Sequence, residues 1–209
     1  MAVITISRQY ASGGSDIARL VAQRLDWSLI DNEFIDRVAT AAGLDPADVE
    51  RHQERVPGFM ERLARALAIS SPEVFVATGE PPEAVAHEER IVAMTEHVIA
   101  EAVRHGNVVM VGRGAQAYLA EWDQTLHAYI SAPRDARILA AMKRLDVERD
   151  EAERIVDDTD EGRKRYVKAH YNRKWDHPAN YHLCLNSDAL GYEGCAALIG
   201  EAARVRGLV

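Results

Sequence analysis

The sequence predicts an α/β protein: three layers, with a parallel sheet of about five strands covered by helices on both faces. Short apolar segments alternate with longer helical patterns along the chain. The chain also opens as an apolar strand, a small-residue loop and a helix start, in the order AVITISRQYASGGSDIA. Finally, 209 residues with 47% apolar content suit one large domain or a core with an inserted subdomain.

The expected strands are residues 3–7, 28–30, 108–112, 127–131 and 182–185, with the first in the centre of the sheet. They are short, mostly β-branched or aromatic, and bounded by polar residues or glycine. Helical patterns fill the gaps at 15–25, 32–42, 83–104, 134–145, 151–168 and 193–205. Residues 46–83 break the alternation with helical pieces and the turn Gly79-Glu80-Pro81-Pro82, which reads as an inserted helical cap. Within it Phe59, Met60, Leu63 and Leu67 fall at helical spacing and bury one face, against the core or against a second copy in a homodimer. Residues 146–176 are highly charged with few large apolar side chains, which suits a solvated helix pair or a mobile lid. The reading is thus a single domain over 1–209 with a cap and a lid.

The formal charge of −8 argues against a nonspecific nucleic-acid binder. No apolar run approaches a bilayer span, so no membrane partner is expected. The start MAVITISRQY lacks a signal-peptide layout, which points to the cytoplasm. Cys184 and Cys195 read as two buried thiols in a reducing compartment, and eight histidines lack metal-ligand spacing.

Ligands of such sheets bind at the carboxyl ends of the strands. The first loop has the order of a phosphate-binding loop, in which glycine admits an anion and the next helix offers its N–H groups. The pattern G-x-x-x-x-G-K-[ST] aligns to Arg8, Gly13, Gly14 and Ser15, so Arg8 replaces the first glycine and Gly14 the lysine. An ordinary strand-to-helix turn with Ser12 as cap would explain the same loop. Other arginines follow the strands: Arg37, Arg113, Arg137, Arg144, Arg163 and Arg165. Singly each is a surface residue; together, in an acidic chain, they point to an anionic ligand.

In order and spacing these segments resemble the cytidylate kinase-like branch of the nucleoside monophosphate kinases, across nearly the whole chain. The resemblance rests on Ile4-Thr5-Ile6-Ser7 with Gly13, Leu29-Ile30-Asp31 with Arg37, Gly112-Arg113, Asp160-x-x-Arg163 and Leu185-Asn186-Ser187. It implies a P-loop kinase-like fold that binds nucleotides and transfers a phosphoryl group from ATP, with Mg2+, to a nucleoside monophosphate such as CMP or a related small acceptor. Arg8, Ser12, Gly13, Gly14 and Ser15 would hold the donor phosphates, with the Ser15 hydroxyl on magnesium. Asp31, Arg37, Arg113 and Asp160 would hold the acceptor, and Arg137 and Arg163 would serve the transferring group. Three positions depart from the family: Gly14 for the loop lysine, Val111 for an acid before Gly-Arg, and Ser131 for an acid ending the fourth strand. A nucleotide-binding module without turnover is therefore the alternative. A dinucleotide-binding reading fails, because it wants G-x-G-x-x-G and the loop has only Gly13-Gly14.

Overall fold

The structure, a computed structural model, describes residues 1–31 and 84–209. The expected cap over 46–83, the helix over 32–42 and Arg37 lie outside the described residues. The chain divides into two units, Met1–Ile30 with Gly106–Val209, and Asp31–His105.

The first unit holds five strands: β1 (Val3–Arg8), β2 (Ser28–Ile30), β3 (Val108–Val111), β4 (Thr125–Ser131) and β5 (Leu183–Asn186). Every pairing is parallel, in the order β2-β3-β1-β4-β5, so the first strand is central. Register explains the core. Ile4 lies beside Val109 and Leu126, and Ile6 beside Val111 and Ala128, which puts all six on one face. Helices α1 (Gly14–Leu25) and α6 (Ser187–Val205) cover that face with Ile17, Val21, Cys195 and Ile199. Each such aliphatic side chain contributes about 1.5–3 kcal/mol by burial.

The opposite face carries Thr5 beside His127 and Ser7 beside Tyr129. There Tyr129 packs with Ala117 of the short helix α3 (Ala115–Tyr118), with Val167 of α5 (Arg149–Tyr171) and with Trp175. A third cluster joins Ile138 and Ala141 of α4 (Arg134–Leu145) to Ala152 and Val156 of α5. This helix pair opens with Pro133 at its N-cap, and α4 ends on Asp146 in the left-handed region.

Two expectations need correction. Helix α6 starts at Ser187 rather than 193: Asn186 caps it, accepting from the amides of Asp188 and Ala189, and Gly191 (φ 66°, ψ 166°) kinks it. The kink interrupts the helical period, which hid the first turn. Cys184 is exposed, not buried, because it sits on edge strand β5, whereas Cys195 is buried. In the second unit, α2 (Ala84–His105) buries Val98, Ile99, Ala102 and Val103, a stripe at helical spacing. Among the described residues no helix is long and apolar enough to cross a membrane.

Candidate functional site

Strand β1 delivers the chain to the carboxyl edge of the sheet at Arg8, which pairs in register with Ile130. The Gln9 amide donates to the Ile130 carbonyl at 2.9 Å, and the Gln9 side-chain oxygen accepts from the Ala132 amide at 3.2 Å. The turn into α1 needs left-handed backbone at Ala11 (φ 59°) and Gly13 (φ 76°). Glycine suits the second position twice over, since a Cβ there would meet the Tyr192 ring at 2.2 Å.

Ser12 is not the helix cap. Gly13 holds that place and no side chain caps it. The buried Ser12 hydroxyl lies 2.8 Å from the Gln9 carbonyl and 3.3 Å from that of Ile130, so it braces the loop from within. Ser187 at the start of α6 donates to the Ser12 carbonyl at 2.7 Å. The loop is thereby tied to β4 and to α6. Beyond it α1 begins at Gly14, with Ser15 exposed in the first turn and Asp16 paired to Arg19 at 2.7 Å.

Arginines of α4 and α5 meet this loop. Asp160 of α5 is buried, and one carboxylate oxygen accepts the Tyr10 amide at 2.8 Å. Its other oxygen accepts from Arg137 of α4 at 2.7 Å. Arg137, also buried, donates in addition to the carbonyls of Ala132 at 3.1 Å and Tyr10 at 3.2 Å. Arg163 lies one turn beyond Asp160, 3.3 Å from its carboxylate, and donates to the Arg8 carbonyl at 2.7 Å. Its guanidinium also lies over the rings of Tyr10 and Trp175, at 5.8 and 6.0 Å from their centroids, while Arg144 stands 4.7 Å from that of Tyr10. One carboxylate thus faces two guanidinium groups, which leaves positive charge at the loop. Burial pushes the Arg163 pKa down further than Asp160 raises it. A desolvated cation of this kind gains from a second anion.

At the end of β3 three successive residues take left-handed backbone: Gly112 (φ 73°), Arg113 (φ 51°) and Gly114 (φ 71°). Such a conformation at arginine costs about 1–2 kcal/mol. It puts Arg113 at the carboxyl edge, beside the loop that follows β1. Val111 and Ser131 are the two positions where the resemblance implies acids: Val111 is buried in the core, and Ser131 is half-buried, with its hydroxyl 3.4 Å from the Leu185 carbonyl.

The structure therefore brings Arg8, Ser12, Gly13, Gly14, Arg137, Asp160 and Arg163 together around one loop. Asp31 belongs to the second unit. Asp160, expected on the acceptor, contacts the loop itself. The sequence assigned no site role to Tyr10, Trp175 and Tyr192, and it marked Ser187 only as part of the last strand and turn. Ser187 alone left a signal, in the Asn-Ser-Asp start of a capped helix. No group of three or more His, Cys, Asp or Glu able to hold a metal occurs among the described residues.

No curated protein matches the chain. Solved structures do. An uncharacterized protein from Eubacterium ventriosum superposes with a TM-score of 0.70 at 18% identity, over 98% of this chain and 99% of that one. A shikimate kinase from Acinetobacter baumannii, solved with shikimate, gives 0.53 at 13% identity, over 100% and 96%. The shikimate kinase from Bacteroides thetaiotaomicron gives 0.51 at 12%, over 99% of each chain. These likenesses establish a P-loop kinase-like fold. The profile of the cytidylate kinase-like family matches residues 3–189, which span β1, the loop, the arginines of α4 and α5, and the start of α6, and the chain belongs to that family.

Proposed function

We propose that the protein is a phosphotransferase that binds ATP at the loop after β1 and passes its γ-phosphoryl group to a small acceptor. A nucleoside monophosphate, CMP first, is the acceptor class. The observation that carries this reading is the convergence of buried Arg137 and half-buried Arg163 on the backbone of the loop, at the carbonyls of Tyr10 and Arg8 respectively. Phosphoryl transfer asks the protein for positioning and positive charge more than for covalent chemistry.

In this reading the backbone of Gly13 and Gly14 and the N-terminus of α1 hold the donor phosphates. Arg137 and Arg163 balance the charge that spreads over the transferring oxygens. Arg113 holds the acceptor. The acceptor oxygen bonds to the γ-phosphorus as the bond to the β-phosphate oxygen breaks, and ADP leaves. Magnesium would arrive with ATP, held by its phosphates and the Ser15 hydroxyl. Bound there, it would neutralise phosphate charge.

One observation favours the second reading, a binding module without turnover: Asp160 already faces both arginines. The two readings separate in one experiment on the full chain. Thermal shift with ATP and magnesium tests binding, and ADP release with CMP, other nucleoside monophosphates and shikimate tests turnover. We expect a shift with ATP and ADP release that depends on one acceptor. A shift without ADP release from any acceptor supports the module. No shift with any nucleotide overturns both.

A further inference from the structure

We propose that positions 8 and 14 have exchanged the two residues a phosphate loop needs, one glycine and one cation. The common pattern places glycine at the first position and lysine at the seventh. Here those places hold Arg8 and Gly14. The exchange has a steric cause. A Cβ on Gly14 would stand 2.4 Å from Cβ of Arg8 and 2.7 Å from its Cγ. These atoms sit at the root of the side chain and cannot swing aside. Any residue but glycine at 14 therefore collides with Arg8. By the same distance, a lysine at 14 needs glycine at 8.

Conformation does not demand glycine at position 8. Arg8 ends β1 in extended backbone paired with Ile130, and the left-handed residues of the loop are Ala11 and Gly13. Space, not φ, is what couples the two positions.

The rest of the Arg8 side chain shows where the charge goes. A Cβ on Gly112 would meet Nη1 of Arg8 at 2.0 Å and its Cζ at 2.9 Å. The side chain thus runs from the first residue of α1 across to the end of β3, between two glycines that leave it room. Its guanidinium stands between the carboxyl ends of adjacent strands β1 and β3, at the edge where ligands of open parallel sheets bind. Arginine keeps its charge there and can fork onto phosphate oxygens. Arg8 is in this account the loop's phosphate-binding cation, and Gly14 records its presence rather than a loss of activity. The assignment of phosphate as ligand rests on the proposed function.

Full-length wild type, Arg8→Gln, Gly14→Ala, Gly14→Lys, Arg8→Gly, Arg8→Gly/Gly14→Ala and Arg8→Gly/Gly14→Lys test it, with two readouts. The first is melting temperature without ligand. Gly14→Ala and Gly14→Lys should lower it markedly, or prevent folding, beside Arg8, and much less beside glycine at 8. Equal effects in both backgrounds overturn the steric exchange. The second is affinity for ATP with magnesium. Arg8→Gln, which keeps most of the stem, should weaken it about 10–100-fold, the range for a charged hydrogen bond. Arg8→Gly/Gly14→Lys should recover most of what Arg8→Gly loses. Arg8→Gln binding as tightly as wild type overturns the cation role and leaves the proposed function standing. Wild type that binds no nucleotide overturns the proposed function and the cation role with it.

Discussion

Asp160 holds the site together at the level of single residues. Its carboxylate joins the loop amide of Tyr10 to Arg137 and Arg163, so one side chain fixes a loop and two helices. Replacing it by asparagine keeps the shape and removes the charge, which leaves Arg137 buried without its counter-ion. Breaking a buried pair from one side costs about 3–5 kcal/mol. We expect Asp160→Asn to lose that much in urea denaturation and to regain more of it on adding ATP with magnesium than wild type gains. A loss below about 1 kcal/mol would show that the carboxylate does not hold the arginines. Arg163→Ala belongs to the same scale. It removes a half-buried cation at the loop, and we expect turnover to fall about 10²–10³-fold, with KM changed less. A raised KM with turnover unchanged would place Arg163 in ground-state binding.

Among the elements, β4 carries a pH dependence. His127 is buried on the face opposite the main core, with Nδ1 2.7 Å from the Thr5 hydroxyl and Nε2 3.2 Å from that of Thr125. Its ring stacks on His182 at 5.1 Å, and the charges of Arg206 and Arg173 also face it. Burial first, then these neighbours, lower its pKa from 6.5 to about 4. Burial and Arg206 lower His182 as well. Between those limits the unfolded chain binds a proton that the folded one does not. Stability is therefore full above pH 6.5 and lost as pH falls toward about 4. The shift is worth up to about 3 kcal/mol. We expect urea midpoints to fall from pH 7 to pH 5, and the fall to shrink in His127→Gln. An unchanged slope in that variant would assign the loss to other groups.

For the whole molecule, charge separates a nucleotide ligand from a nucleic acid. The chain carries a formal −8, yet its site presents buried or half-buried arginines. Long-range repulsion of an anion is screened over about 10 Å at 0.1 M salt, while contacts to buried guanidinium groups are screened less. Raising salt from about 50 to 200 mM should thus change ATP affinity by less than about threefold. A protein that neutralises many nucleic-acid phosphates loses about 10³–10⁵ over the same range. Isothermal titration at both salt levels decides it, and a fall of that size would put the ligand's charge outside the buried site.

Sequence alone sufficed for the sheet, its parallel strands, the central place of β1 and the loop that follows it. Those follow from local patterns: apolar runs such as Val3–Arg8, periodic helices such as Arg134–Leu145, and glycine between them. It also named Arg137 and Arg163 as a pair of interest. Their partners emerge only in the packed fold. Asp160 and Tyr10 are 150 residues apart in the chain, and no spacing rule joins them. The kink at Gly191 that brings Tyr192 over Gly13 was equally unreadable. Most of all, Gly14 read as a missing lysine until Arg8 was seen to fill its space. Pattern along a chain records which residues are present. Exclusion between two side chains depends on Cβ separations that exist only once β1 and α1 have packed.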